Sequence, residues 1–274
     1  MNAKIIAIAN LKGGVGKTTT ALSLGAELTQ RGYRVLLVDA DDNNQSLTQT
    51  IGVTGCDKRK TLTNLLIYDC FEDDGIDEQL VLDTVIGCVE GFDLLPSDQK
   101  LAGISTYLAF QSYRNDYGSE GILFHLKSIL DRVRNHFDYI IVDTGANHSQ
   151  FFLNVLVASD EIIIPAQAQK MSDNGTMETL GAIERIKKNH NPSLVNRGIL
   201  ITMVDNRTRY SKDKAGRIEN EFSEMGLCVF RSTIPRTVKG EEYAESGKSI
   251  LAYAGKSKMA EAYRDFVSEY LEGR

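Results

Sequence analysis

The chain has 274 residues and a mass of 30.4 kDa, with 42% hydrophobic residues, 25% charged residues and a formal net charge of −6. This composition is typical of a globular protein and excludes a disordered or fibrous chain. No stretch approaches the roughly 18 uninterrupted apolar residues of a membrane span, and the amino terminus lacks a secretory signal pattern, so we expect a cytoplasmic protein.

Apolar and amphipathic segments alternate along the chain. The apolar run 4–10 predicts a buried strand, the spacing of apolar residues over 18–31 predicts a helix, and the run 34–39 predicts a second buried strand. Further strands are predicted over 92–95, 139–143, 161–165 and 198–204, and further helices over 121–135, 173–189, 211–225 and 256–271. This alternation predicts an α/β fold, a mostly parallel twisted sheet flanked by helices. Without linkers or repeats, we expect a single domain over 1–274.

A glycine-rich loop lies between the first strand and the first helix. Its residues are Lys12, Gly13, Gly14, Val15, Gly16, Lys17, Thr18 and Thr19. Glycines let successive backbone N–H groups converge on phosphate oxygens at the amino end of a helix. Lys17 can reach the β- and γ-phosphates, and the Thr18 hydroxyl can ligate Mg²⁺. The loop therefore predicts a binding site for the phosphates of a nucleotide and for Mg²⁺; the family resemblance described below implies that the nucleotide is ATP.

Acidic residues end two of the predicted strands. Asp39 and Asp41 close the second strand two positions apart, so both side chains point to the same side of an extended segment. Asp143 ends the apolar strand 139–143, which is the Walker B pattern, and should reach Mg²⁺ through water. Carboxylates beside a phosphate loop suit magnesium and water, as phosphoryl transfer requires.

Charge is distributed unevenly along the chain. The segment 69–98 contains ten acidic residues and no Lys or Arg, whereas 205–240 contains eight basic and five acidic residues. The acidic segment is either a solubilising surface or a surface for a partner with a basic segment. The basic segment is either a solvated helix face or a local basic face that attracts a polyanion.

The loop begins with a second lysine, Lys12, and thereby resembles the deviant Walker A family: ParA-type partition ATPases, MinD, nitrogenase iron proteins and arsenite-pump ATPases. In that family the extra lysine reaches the partner subunit's nucleotide, which implies an ATP-dependent homodimer and this role for Lys12. The stretch 38–41 resembles the family's Val-Asp-x-Asp, which implies that Asp39 helps to hold the metal and that Asp41 orients the attacking water. By this resemblance Lys12, Lys17 and Asp41 are the catalytic residues.

Three stretches in the second half, 202–208, 233–239 and 245–250, resemble ParA (Soj-like) proteins of chromosomes and plasmids. The resemblance implies a slow ATPase for plasmid or chromosome partition. Its dimer would bind DNA nonspecifically at the nucleoid and would be stimulated by a ParB-like centromere-binding protein.

The same resemblance assigns roles to individual residues of the second half. Pro235 and Thr237 correspond to the lining of the adenine pocket, with Thr237 in place of the commoner Asn. Arg207 and Lys239 correspond to contacts with the DNA backbone. Lys239 stands where Arg is usual and keeps the charge without the bidentate fork.

Two stretches depart from the family pattern. After Asp143 the family usually continues Thr-Pro-Pro, whereas this chain has 144–146 as Thr-Gly-Ala; after Asp41 the family's Pro-Gln is replaced by Asp-Asn at 42–43. Because glycine frees the backbone and proline restrains it, the first replacement predicts a more flexible switch segment.

Other members of the family provide alternatives. A ParA-like positioner of another cellular cargo would retain all the ATPase chemistry. A MinD-like membrane-associated ATPase would need a basic, apolar anchor, but the helix 256–271 has an apolar stripe flanked by acidic residues, which favours docking on the core. An iron protein would need cluster cysteines at switch positions that Cys88 and Cys228 do not occupy. We therefore expect no membrane association. Because the first predicted strand begins at residue 4, we also expect no amino-terminal helix-turn-helix domain.

Overall fold

The computed structural model of the chain describes residues 2–53, 60–70, 76–114, 121–167, 174–205 and 209–273. Within these ranges one sheet contains the strands β1 (Lys4–Ile8), β2 (Val35–Ala40), β3 (Ile86–Gly87), β4 (Asp93–Leu95), β5 (Tyr139–Thr144), β6 (Glu161–Gln167) and β7 (Val195–Thr202). Their order is β3-β4-β2-β5-β1-β6-β7, and each neighbouring pair is parallel except β3 with β4. The prediction of a mostly parallel sheet in an α/β fold is confirmed.

Helices cover both faces of the sheet. They are α1 (Lys17–Gln30), α2 (Ser46–Thr50), α3 (Leu62–Asp69), α4 (Glu78–Leu82), α5 (Ile104–Arg114), α6 (His125–Val133), α7 (Gln150–Ala158), α8 (Asn174–Asn189), α9 (Arg209–Glu224), α10 (Val238–Glu242), α11 (Ile250–Tyr253) and α12 (Lys258–Leu271). Helical periodicity in the sequence predicts α1, α6, α8, α9 and α12. It does not predict α7, because that helix is apolar nearly throughout and has no polar face to create a period of 3.6 residues.

Strand β1 lies inside the sheet and is buried on both faces. Ile5 and Ala7 pack in one hydrophobic cluster with α3, α6, α7 and α8, whereas Ile6 and Ile8 pack in a second cluster with α1 and α12. Successive side chains of a strand point to opposite faces, so a central parallel strand is apolar at every position. This explains the continuous apolar run that predicts it.

Helix α12 docks on the second face of the sheet, as its apolar stripe predicts. Its buried residues are Met259, Ala260, Tyr263, Phe266, Val267 and Tyr270. The Tyr263 hydroxyl lies 3.2 Å from the Thr20 hydroxyl of α1, and the Phe266 ring packs edge-on against Phe230. Of the helices among the described residues, none is long and apolar enough to cross a bilayer.

The register of the central strands brings their carboxyl ends together. Asp143 of β5 pairs with Asp39 of β2 on one side and with Ile8 of β1 on the other. The loop after β1 and the acidic ends of β2 and β5 therefore meet at one edge of the sheet. Open parallel sheets bind their ligands at this edge.

Strand β7 differs from its prediction at both ends. It runs from Val195 to Thr202 instead of 198–204, and Val204 forms an isolated parallel bridge with Pro235. A β-bulge displaces the register with β6, and Gly198 lies at this irregularity with φ 136. The residue after Gly198, Ile199, donates its backbone N–H to the carbonyl oxygen of Cys228 at 2.9 Å.

Gly198 should tolerate no side chain. A Cβ there would lie 2.9 Å from the backbone oxygen of Cys228, in addition to the strain of a positive φ. We expect Gly198→Ala to lower the free energy of unfolding by about 1–3 kcal/mol, measured by urea denaturation. The control is Gly216→Ala in α9, where an added Cβ meets nothing within 4 Å; it should raise the free energy by about 0.5–1 kcal/mol. Equal stability of Gly198→Ala and wild type would contradict this account.

Candidate active site

The loop between β1 and α1 has the backbone geometry of an anion site. Gly14 and Gly16 have φ 71 and 88, a region that favours glycine over residues with a side chain. Gly16 is the N-cap of the 14-residue helix α1, and no side chain caps that end in the described part of the chain. The first N–H groups of α1, together with the helix dipole, can therefore bind a phosphate.

Side chains from the sheet hold the carbonyl groups of this loop. The Thr202 hydroxyl donates to the Val15 oxygen at 2.8 Å, and the Gln167 amide donates to the Gly14 oxygen at 2.6 Å. These contacts fix the loop between the ends of β6 and β7. A loop that is held by the protein's own side chains loses little conformational freedom when a ligand binds.

The start of the loop is packed against helix α8. The Asn10 side chain is fully buried; its oxygen accepts from the Lys12 N–H at 2.9 Å, and its amide donates to the Thr176 hydroxyl at 3.0 Å. A Cβ on Gly175 would lie 2.8 Å from the Lys12 nitrogen, so the two backbones are in close contact. The sequence signal for Asn10 is a polar residue at the end of an apolar run, directly before the loop.

Lys17 lies inside the site, only 8% exposed. Its ammonium donates to the Lys12 carbonyl oxygen at 3.1 Å. Burial lowers the pKa of Lys17, and the negative charges of Asp143 and Asp41 act in the opposite direction. The structure thus brings the loop lysine and the two predicted acids together, whereas the Lys12 side chain is half-buried.

Asp39 and Asp143 lie side by side and fully buried, but their hydrogen bonding differs. One oxygen of Asp39 accepts from the Thr48 N–H at 2.8 Å and from the Thr48 hydroxyl at 2.5 Å, and the other accepts from the Asp41 N–H at 3.2 Å. Burial raises the pKa of Asp39 to about 6. Thr48 therefore orients Asp39.

Neither oxygen of Asp143 accepts a hydrogen bond from the residues that the structure describes. Burial, and then the charge of Asp39, raises the pKa of Asp143 well above its usual range. The nearby Thr18 hydroxyl and Lys17 oppose this shift, although neither forms a hydrogen bond of normal geometry with the carboxylate. A buried carboxylate without partners, next to a second carboxylate and a hydroxyl, has the oxygen ligands that Mg²⁺ prefers.

The Asp41 carboxylate closes the turn between β2 and α2. One oxygen accepts from the N–H groups of Asn43 and Asn44 at 3.0 and 3.2 Å, and the other accepts from the Ser46 hydroxyl at 2.5 Å. Asp41 is 5% exposed and faces the loop lysine. Each carboxylate oxygen has two lone pairs, so the oxygen that bonds Ser46 retains one for a further donor.

A cavity of about 290 Å³ opens beside the loop. Among its lining residues are Thr19, Gln167, Met203, Pro235, Thr237 and Met259. The Thr237 hydroxyl begins α10 by accepting from the Gly240 N–H at 3.0 Å. Met203 has φ 56, an uncommon conformation for a non-glycine residue, and its sulfur accepts from the Gln167 amide at 3.1 Å. The mixed apolar and polar lining suits a flat aromatic base.

The resemblance assigns Arg207 and Lys239 to DNA binding, and the structure describes one of them, Lys239. Arg207 lies outside the described residues. Lys239 lies on α10 with its side chain 55% exposed, donates to Glu242 at 2.7 Å, and has the Tyr253 ring centre 5.7 Å from its ammonium.

Several acids of the segment 69–98 have internal partners. The Asp69 side chain is 5% exposed and accepts a hydrogen bond from His125 at 2.7 Å, and Glu90 accepts two from Ser249 at 2.7 and 2.5 Å. These contacts favour a structural role for the acids involved. Outside the described residues lie Glu72, Asp73 and Asp74.

Known proteins resemble this chain over nearly its whole length. The model of a family described as AAA domain matches residues 3–196. The sporulation initiation inhibitor protein Soj of Bacillus subtilis is 34% identical to this chain, and the alignment covers 97% of this chain and 97% of Soj. The chromosome partitioning protein ParA of Caulobacter vibrioides is 31% identical to this chain, and the alignment covers 98% of this chain and 94% of ParA.

Several similar solved structures contain a bound nucleotide. Cobyrinic acid a,c-diamide synthase of Mycobacterium smegmatis, with a bound ATP analogue and magnesium, has a TM-score of 0.77 and 30% identity, covering 99% of this chain and 97% of its own. The matched family model, the full-length similarity to Soj and ParA, and the similarity of fold therefore agree on the family of this chain. The chain belongs to the ParA (Soj-like) family of partition ATPases, with the fold of the deviant Walker A P-loop NTPases.

Proposed function

We propose that the chain is a DNA partition ATPase that works as an ATP-sandwich homodimer. The dimer binds DNA nonspecifically at the nucleoid, and a ParB-like centromere-binding partner stimulates its slow hydrolysis of ATP to ADP and phosphate. The observation that carries the proposal is the buried Asp143 carboxylate, without hydrogen-bond partners in the described structure, beside Lys17 and the loop. The similarity to Soj and ParA supports the partition role.

ATP is the nucleotide of this site. Its phosphates bind the loop 12–19, where Lys17 exchanges the Lys12 carbonyl oxygen for the β- and γ-phosphate oxygens. The base enters the neighbouring cavity, which Pro235 and Thr237 help to line. The ATP analogue bound to the similar protein of Mycobacterium smegmatis supports this assignment.

Asp143 and Thr18 are the residues that would hold Mg²⁺, with Asp39 behind them. Asp143 has both oxygens available, whereas Asp39 is oriented by Thr48 and contributes mainly its charge. When bound, Mg²⁺ neutralises the negative charge of the phosphate oxygens during phosphoryl transfer. The magnesium in the similar structure supports this fit.

Asp41 orients the attacking water. The carboxylate is held by its own turn and keeps a lone pair for a water proton, on the side of the site that Lys17 occupies. Positioning and charge neutralisation provide most of the rate of phosphoryl transfer. The remaining loop lysine, Lys12, crosses to the nucleotide of the partner subunit, and its backbone is held ready by Asn10 and Gly175.

DNA binding depends on Arg207 and Lys239 of both subunits. Lys239 is exposed, and dimerisation doubles a modest local positive charge. Such contacts neutralise phosphates and carry no sequence information. A ParA-like positioner of another cargo would share the nucleotide chemistry and differ in the adaptor that it recognises.

The two loop lysines should have separable roles. We expect Lys17→Ala to abolish ATP binding, because it removes the charge nearest the phosphates. Lys12→Ala should retain ATP binding and lose ATP-dependent dimerisation. Nucleotide titration and sedimentation velocity measure the two properties, with the exposed Lys100→Ala as control. Equal dimerisation of wild type and Lys12→Ala in ATP would refute the cross-subunit role.

Asp41→Ala should trap the ATP-bound dimer. Turnover should fall by about 100-fold while ATP affinity and dimerisation persist, because water orientation matters only on the path to the transition state. Steady-state ATPase rates measure the effect, and the exposed Asp83→Ala is the control. An unchanged rate would reject Asp41 as the water-orienting residue.

Reversing the charge of Arg207 and Lys239 should separate DNA binding from dimerisation. We expect the double variant Arg207→Glu/Lys239→Glu to lose ATP-dependent retention on random-sequence duplex and to keep ATP-dependent dimerisation. Wild-type binding should weaken steeply with salt. Filter binding measures retention, and Lys100→Glu controls for net charge. Duplex binding by the double variant at physiological salt would show that these residues do not form the DNA surface.

A further inference from the structure

Two positions at which the chain departs from its relatives touch each other. The parallel register of β2 and β5 pairs Ala40 with Thr144, so the next residues, Asp41 and Asp42 on one side and Gly145 on the other, continue side by side. In the family pattern that the chain resembles, proline stands in place of Asp42 and of Gly145. The two replacements therefore fall on one contact, at the edge of the sheet where the active site lies.

The contact at Gly145 leaves no room for a side chain. A Cβ there would lie 2.6 Å from one oxygen of Asp42 and 2.9 Å from one oxygen of Asp41. Gly145 is buried, and Asp41 and Asp42 are only 5% and 8% exposed, so neither carboxylate can swing freely into solvent. Any side chain at position 145 must displace at least one of the two carboxylates.

Each carboxylate is also held from its other side. Asp41 accepts three hydrogen bonds from the turn that follows it. Asp42 lies beside the Ser149 hydroxyl, which caps α7 by accepting from the Phe152 N–H at 3.0 Å. Burial, and to a smaller extent the charge of Asp41, raises the pKa of Asp42, and the Ser149 hydroxyl opposes the shift. The acids are therefore packed between the turn, α7 and the bare backbone of Gly145.

We propose that Gly145 and Asp42 are a matched pair of positioning residues that sets the place of the Asp41 carboxylate. The missing side chain at position 145 makes room for the Asp42 carboxylate. Neither residue touches the reacting atoms; both act through Asp41. The inference rests on the proposed function, which gives Asp41 its water-orienting role.

The pair explains why both departures occur together in this chain. A proline ring at position 145 and a carboxylate at position 42 would compete for the same volume. The effect of a side chain at position 145 should depend on whether Asp42 is present, which is what a double-mutant cycle measures.

The experiment compares wild type, Gly145→Ala, Asp42→Ala and the double variant in ATP binding and steady-state hydrolysis. We expect Gly145→Ala to lower kcat by about tenfold or more in the wild-type background, with ATP affinity changed by less than about twofold. In the Asp42→Ala background the same change should cost less, about threefold in kcat, because the shorter approach of 2.6 Å to Asp42 is gone and only the approach of 2.9 Å to Asp41 remains. Gly103→Ala, where an added Cβ meets nothing within 4 Å, is the control.

Melting temperatures provide a second readout. If Gly145→Ala fails to fold, the double variant should fold, and a double variant that also fails to fold would overturn the proposal. An unchanged kcat in Gly145→Ala, or an equal loss of kcat in both backgrounds, would overturn it as well. A wild-type protein that binds no ATP would instead refute the proposed function. The melting temperatures would then still report whether the residues at positions 42 and 145 depend on each other.

Discussion

Strands β2 and β5 end in register, and this places the carboxylates of Asp39 and Asp143 side by side in the interior. Burial raises the pKa of both acids, and the charge of Asp39 raises the pKa of Asp143 further. Thr48 partly compensates Asp39, whereas the described structure provides Asp143 with no hydrogen bond. The fold thus places poorly compensated carboxylates at the edge of the sheet where the phosphate loop begins, and a cation at this edge would stabilise them.

The surrounding elements hold this edge in a form that suits nucleotide chemistry. Gln167 and Thr202 fix the loop carbonyl groups, α8 packs against the loop's first residues, and Lys17 remains inside the site near two acids. Because the protein's own side chains hold these groups, less conformational entropy is lost when a ligand binds. The hydrogen-bonded turn at Asp41 extends this arrangement to the next loop.

The sequence predicts the central strands well, because strands buried on both faces contain continuous apolar runs up to the acids that end them. It does not predict helices as short as α2, or α7, which lacks a polar face. The residues that end the strands at the site are predictable, since parallel strands end at one edge. The partners of Asp41 and Asp143, and the contact of Asp42 with Gly145, are not, because they depend on how separate loops pack.

The stability of Asp143→Asn without nucleotide tests this account most directly. Because the folded-state pKa of Asp143 is raised, wild type loses stability as pH rises through that pKa. A neutral amide of the same shape removes the buried charge. Asp143→Asn should therefore melt at a higher temperature than wild type above that pKa, and should lose the further stabilisation that ATP with Mg²⁺ gives wild type. A nucleotide-free variant that melts below wild type, or one that ATP with Mg²⁺ stabilises fully, would contradict the account.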